Sequence, residues 1–273
     1  MMNNLGDILK HRRLELHMSQ SAASDNICSQ PMLSSIEKGK YIPNSEILIL
    51  LCKRLKIDMN QLSLNNNYQI SSVEIFNNTV THLCNNHEYF ELKEFLLKKS
   101  TVESIASDNQ LQAYYYYLGI AFLQSDNDLD QAEVNLKLAM TNPTEHSNLT
   151  TLDRLVLISS AVVYATKQQP NLSDMYIQKA FKQFNSATFE TNQVALFYLA
   201  GYANLLINNK LKAIKWLNQG IDFASNHDSH YMLANMYYLL AKILMDTDKS
   251  ELALDYQNRS QIFTDLFHEK VFK

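Results

Sequence analysis

The stretch MSQSAASDNICSQPMLSSIEKG, residues 18–39, decides how the first quarter of the chain folds. Ser19 is suited to cap a short helix running from Gln20 to Asn26, because its hydroxyl can accept an N–H that the first turn leaves unpaired. A tight turn at Ile27-Cys28-Ser29 follows. Pro31 fits the first turn of the next helix, where its missing N–H costs nothing. In that helix Leu33 and Ile36 share one face and leave Gln30, Met32, Ser34 and Ser35 outward. Gly39 supplies the left-handed residue that ends it. Upstream, Leu5, Ile8, Leu9, Arg12 and Leu16 keep helical spacing. Downstream, Pro43-Asn44-Ser45 opens a fourth helix with an apolar stripe of Leu48, Leu51, Cys52 and Leu55, and Ile57, Met59 and Leu62 close the bundle.

The whole chain fits the same helical reading. With 46% hydrophobic and 19% charged residues over 273 positions, it can bury a core. Its 5 Gly and 4 Pro are too few for the many turns of a sandwich, barrel or doubly wound sheet. Residues 1–65 carry 8 Lys and Arg against 6 Asp and Glu, while the rest carries 16 against 22, so a mildly basic head joins an acidic body. Three cysteines without a CxxC pair suit reduced thiols in a cytoplasmic protein. Charged residues interrupt Leu5–Leu16, which argues against a signal peptide, and Ala195–Ile207 is too short to span a bilayer. Neither a membrane nor a cofactor is expected as a partner.

The run from Met18 through Asn26-Ile27-Cys28-Ser29-Gln30 to Ser34-Ser35-Ile36-Glu37-Lys38-Gly39, with Pro43-Asn44-Ser45 beyond, resembles a Cro/C1-type (XRE) helix-turn-helix. Its turn and its Ser-x-Ile-Glu-x-Gly ending are most similar to the PlcR-type members of the peptide-responsive regulators grouped as RRNPP. The resemblance implies that Gln20 holds a phosphate and braces the recognition helix, that Gln30, Pro31 and Ser35 face the bases, and that Ser29, Lys38, Lys40 and Asn44 lie near the phosphate backbone. It also implies that Arg13 and Glu37 tie the first helix to the recognition helix. Two positions depart from the family pattern: His17 stands where Gly is usual at the end of the first helix, and Ala23 where Leu is usual in the second. A small head with few phosphate contacts binds weakly alone, so the operator is expected to be an inverted repeat read by a homodimer.

Beyond Asn65-Asn66-Asn67, which reads as the start of a linker, helical patterns recur in pairs. Gly119, Ser160, Gly201 and Ala241 are separated by 41, 41 and 40 positions, and Ala139, Ala180, Gly220 and Ser260 by 41, 40 and 40. Small residues at a fixed period let helix backbones approach closely while aromatics fill the gaps between pairs. Five pairs are expected, near 70–100, 108–141, 148–185, 190–225 and 229–265. The pattern resembles degenerate tetratricopeptide repeats, most closely at Tyr115–Pro143 and Phe197–Ile221. The fold class is therefore all-α: a helix-turn-helix domain over 1–65 and a tetratricopeptide-like solenoid over 66–273 for peptide binding and dimerisation.

Placing the inward positions of such repeats on this sequence gives Tyr116, Gln124, Arg154, Tyr164, Tyr198, Tyr202, Asn235, Tyr238 and Lys242. Amides can pair with both the donor and the acceptor of a peptide backbone, tyrosines give flat area with a polar tip, and Arg or Lys can hold a carboxylate. His82, Cys84 and His87 could ligate a metal, but five residues along a helix point the two histidines apart. No Gly-rich phosphate loop, nucleophile elbow or HExxH occurs, so neither a catalytic residue nor a metal site is expected. The resemblance implies a DNA-binding transcriptional regulator, not an enzyme, switched by a short signalling peptide of quorum-sensing type in the repeat groove. Two other readings fit the same residues: a constitutive repressor whose repeats only dimerise, and a repeat scaffold that binds protein and not DNA.

Overall fold

The computed structural model describes residues 5–41, 43–57, 68–140, 149–187, 189–245, 250–267 and 269–272. Met59, Leu62, the Asn65-Asn66-Asn67 run and Pro143 lie outside the described residues. Described residues are helical or irregular, with no strand among them. The chain divides into two compact units, Met1–Leu64 and Asn65–Lys273.

The first unit holds four helices: α1 (Leu5–Glu15), α2 (Gln20–Ser24), α3 (Gln30–Glu37) and α4 (Ser45–Leu55). They enclose Leu9, Ala23, Leu33, Ile36, Leu51, Cys52 and Leu55, each at most 1% exposed. Ser19, Ser29 and Asn44 cap α2, α3 and α4 by accepting the backbone N–H groups of Ala22, Met32 and Ile47. Gly39 takes φ 65°, and the N–H groups of Gly39 and Lys40 return to the carbonyls of Ile36 and Ser35, which closes α3 in a Schellman turn. The same device ends α1, where His17 adopts φ 52°. The N–H groups of His17 and Met18 reach Leu14 and Arg13. Histidine tolerates the left-handed region better than most side chains do, so the turn forms without the family's glycine. Ala23 sits at full burial, and its smaller volume still closes the core.

The second unit is an array of helix pairs: α5 (Glu74–Asn85) with α6 (Tyr89–Leu96), α8 (Asp108–Ser125) with α9 (Leu129–Met140), α10 (Thr151–Thr166) with α11 (Pro170–Ala180), α12 (Val194–Leu206) with α13 (Lys210–Asn226), and α14 (Leu233–Met245) with α15 (Ser250–Phe267). A five-residue helix, α7 (Lys99–Glu103), links the first two pairs, and short 3-10 turns at Phe184–Ser186 and Thr191–Gln193 precede α12. The small-residue series sits where backbones meet. A Cβ on Gly119 would lie 3.0 Å from Leu136 on the partner helix α9, and one on Gly201 would lie 2.8 Å from Leu217 on α13. A Cβ on Gly220 would lie 2.6 Å from both Phe197 of α12 and Met236 of α14. Burial follows the same logic: the first helix of each later pair is enclosed on nearly every side, with Val156, Ile158, Ala161, Leu196, Ala200, Met236 and Leu240 at 0% exposure. The second helices are more exposed, and their outward faces include apolar residues such as Val134, Leu211, Leu254 and Ile262. No helix among the described residues is long and apolar enough to cross a membrane.

Candidate nucleic-acid interface and repeat-domain groove

In the first unit a single hydrogen-bonded chain runs from the core to the surface of α3. The Arg13 guanidinium meets the Glu37 carboxylate with both prongs, Nε to Oε1 at 2.6 Å and Nη2 to Oε2 at 2.9 Å, and its third nitrogen donates to the Met18 carbonyl at 2.8 Å. Both residues are buried, at 7% and 4% exposure. Burial alone would raise the Glu37 carboxyl, but the bonds from Arg13 and Gln20 outweigh it and hold the group below the usual carboxylate range. Gln20 Nε2 donates to Glu37 at 2.7 Å, and Gln30 Nε2 donates to Gln20 Oε1 at 2.7 Å. The first residue of α2 thus fixes the first residue of α3, which positions Gln30 for contact without exhausting its amide. Arg54 locks the turn from the other side by donating to the carbonyls of Ala22 and Asp25.

Gln30 and Pro31 stand exposed at the start of α3, and Ser35 is half-buried one turn on. Ser29, Lys38, Lys40 and Asn44 are exposed around them. Neither lysine engages a carboxylate among the described residues. Gly6 was not singled out from the sequence, yet it sets the depth of α1 against α3: a Cβ there would fall 2.1 Å from the Ile36 carbonyl oxygen.

In the second unit the expected inward residues separate into two groups. Tyr198, Tyr202, Tyr238 and Asn235 converge: the Tyr198 and Tyr202 rings lie parallel with centroids 6.3 Å apart, and Tyr198 faces Tyr238. Tyr116 joins them through Tyr89, which is flanked by Tyr116, Tyr198 and Tyr231. Burial raises the hydroxyls of Tyr116 and Tyr198 well above their ordinary value, so both stay neutral donors at any working pH. Gln124 and Lys242 are exposed near the ends of α8 and α14.

Arg154 and Tyr164 depart from the expectation. Arg154 is 2% exposed, its guanidinium donates to the carbonyls of Ala180 and Lys182, and it lies over the Phe184 ring. It satisfies the C-terminal end of α11, where a cation meets the negative end of the helix, and presents nothing to a ligand carboxylate. Tyr164 donates to Glu133 of α9 at 3.0 Å and stacks on Tyr176 of α11, so it binds between second helices. Both side chains are long enough to leave the face from which they start.

The occupant of the Asn235 site is the segment after α15. Asn235 is 1% exposed. Its Nδ2 donates to the Glu269 carboxylate and to the Lys270 carbonyl at 3.2 Å, and its Oδ1 accepts the Phe272 N–H at 2.9 Å. The Glu269 carboxylate also accepts backbone N–H groups of Met232, Ala234 and Asn235 at the start of α14, and burial pushes its pKa up to about 7. The Phe272 ring stacks on His87, centroids 4.1 Å apart, with Tyr89 on the far side of that imidazole and Tyr198 5.9 Å from Phe272. Lys270 Nζ donates to the Asn86 carbonyl at the end of α5. Sequence reasoning missed Glu269, Phe272 and His87; the only available signal was an acidic residue between aromatics after the last repeat. No three His, Cys, Asp or Glu side chains come together in a metal-holding group among the described residues, His82, Cys84 and His87 included.

Residues 9–62 match the helix-turn-helix family model, so the head is a DNA-binding helix-turn-helix domain. Over nearly its whole length the chain is similar in fold to PlcR of Bacillus thuringiensis. Against PlcR in complex with the peptide PapR7 and DNA, the TM-score is 0.60 at 19% identity, covering 97% of this chain and 96% of that one. Against PlcR in its apo form the TM-score is 0.58 at 15% identity, covering 97% and 94%. No curated protein matches the sequence.

Proposed function

We propose that the chain is a transcriptional regulator whose DNA binding is controlled by a short peptide held in the groove of the second unit. The observation that carries this reading is the joining, in one chain of the PlcR fold, of a helix-turn-helix head to a groove where Tyr198, Tyr202, Tyr238 and the buried Asn235 converge. Lys38 and Lys40 supply sequence-independent attraction to phosphate, and Gln30 with Ser35 reads base edges at the mouth of α3. Two copies acting together read an inverted repeat, as one small head buries too little alone. A peptide switches the regulator only to the extent that it binds one dimer geometry better than the other.

Selection of DNA fragments by the purified chain at moderate salt, with and without culture extract, tests the reading. An enriched inverted repeat whose yield changes with extract supports it. Enrichment indifferent to extract leaves a constitutive repressor, and no enrichment overturns the DNA-binding regulator. Asn235→Ala and Tyr198→Ala are expected to abolish the extract effect while leaving enrichment itself intact.

A further inference from the structure

Building on that peptide-controlled reading, we infer that residues 269–272 are an internal stand-in for the groove ligand. The site therefore takes an extended peptide carrying a carboxylate and, three residues later, an aromatic side chain. Asn235 gives a donor to one peptide carbonyl and an acceptor to the N–H two residues further on, the register of an extended backbone, and this pairing reads no side chain. Side-chain selection falls to the two flanking subsites. The carboxylate subsite is built from three backbone N–H groups at the start of α14 plus the Asn235 amide, a donor set that suits an anion. The aromatic subsite is the slot between His87 and Tyr198. Between them the Val271 side chain is only half-buried, so that position is read loosely.

A tail that merely packed would need apolar burial. This one is held by its backbone, by the hydrogen bonds to its Glu269 carboxyl and by a stacked ring, as a bound peptide is. An external ligand with the same groups cannot enter beside it and must displace it. A tethered competitor acts at an effective concentration of ~1 mM, so if the untethered segment has a Kd of ~10 μM for the vacant site, any external peptide binds the full chain roughly 100-fold more weakly.

The test uses a fluorescein-labelled synthetic peptide of residues 267–273 as probe, read by anisotropy. A chain lacking residues 268–273 is expected to bind it at least tenfold more tightly than the full chain, and Asn235→Ala in the shortened chain to lose that binding. Full-length Phe272→Ala and Glu269→Ala, at residues outside every helix, are expected to bind the probe with intermediate affinity; circular dichroism and melting midpoints check folding. Equal affinity for full and shortened chains overturns the inference, and so does no binding by a shortened chain that melts like the parent. Probe binding that leaves DNA selection unchanged upholds the internal ligand while sinking the regulatory reading. An extract that alters DNA selection when the shortened chain ignores the probe does the reverse.

Discussion

Arg13 and Glu37 are enclosed on all sides, so their worth depends on both being present. Arg13→Ala leaves a buried carboxylate with only Gln20 against it, and is expected to lower the stability of the first unit by about 3–5 kcal/mol. Replacing both, Arg13→Met with Glu37→Leu, is expected to cost less than the two single changes together; chemical denaturation of the parent, Arg13→Met, Glu37→Leu and the double variant measures the coupling, and additive losses would refute it. Glu269 works in the opposite sense. Its docked value near 7 lies above the ordinary 4.5, so the docked carboxyl holds a proton that a free one has lost. Docking therefore weakens as pH rises between those two values and levels off above 7. Tyr198 beside it is neutral throughout, the Lys270 amine is turned to Asn86, and His87, held below its ordinary value by burial, stacks on Phe272, so its protonation opposes docking at low pH. The Glu269 contribution is therefore read as a difference between two labelled peptides: the ratio of affinity at pH 5.5 to that at pH 8 is expected to be larger for the parent peptide than for one carrying Glu269→Gln. The resemblance to the helix-turn-helix family disclosed the Arg13–Glu37 pair, and placing the inward positions of the repeats gave Asn235. They did not disclose that Arg154 turns to the end of α11, since the reach of a long side chain depends on where its neighbours end.

At the scale of the helix, the period of small residues was the legible quantity. The first pair, α5 with α6, carries no member of either series, and the period located the last four. It could not grade its own members, because how much room a glycine leaves depends on which atom stands opposite. Opposite Gly220, at 2.6 Å, is the Cβ of Phe197, fixed to its backbone; opposite Gly119 the contacts are looser, Leu136 Cγ at 3.0 Å and Cδ2 at 3.2 Å with the Ala132 carbonyl at 3.3 Å. Gly220→Ala is accordingly expected to cost about 1–3 kcal/mol by overpacking. Gly119→Ala is expected to cost much less, because the gain of up to about 1 kcal/mol from replacing Gly inside a helix offsets a crowding that Leu136 can relieve. Thermal melts of the two variants should separate them clearly; similar losses would mean that Leu136 is as immobile as Phe197. The irregular pieces, α7 and the 3-10 turns before α12, carry no period and left no trace in the pattern. The same holds for the segment after α15, whose contacts reach residues as far back as Asn86.

For the molecule as a whole, the question is how a ligand in the groove is felt at the start of the second unit. Tyr68 follows the boundary at Leu64 closely, and its N–H donates to the Tyr117 hydroxyl at 2.8 Å while its own hydroxyl lies beside Asn192. Around it stand Tyr116 and Tyr231, the same residues that flank Tyr89, on which His87 and then Phe272 stack. One aromatic cluster thus holds both Tyr68 and, through Tyr89 and His87, the Phe272 ring that the proposed ligand would replace. A peptide that seats a different ring in place of Phe272 changes the packing that holds Tyr68, and linkage requires DNA to alter peptide affinity by the same factor. Tyr117→Phe keeps the ring and removes the hydroxyl that accepts the Tyr68 N–H, a bond worth about 0.5–1.5 kcal/mol. In the shortened chain this change is expected to leave probe affinity without DNA, and DNA affinity without probe, each within about twofold of the parent. The factor by which each ligand alters the affinity of the other is expected to shrink by up to about tenfold, the most that one such bond can transmit. Titrating each ligand in the presence and absence of the other measures that factor twice. An undiminished factor would place the coupling on another route, and a loss of affinity for either ligand alone would make Tyr117 part of a binding site instead of the link between two.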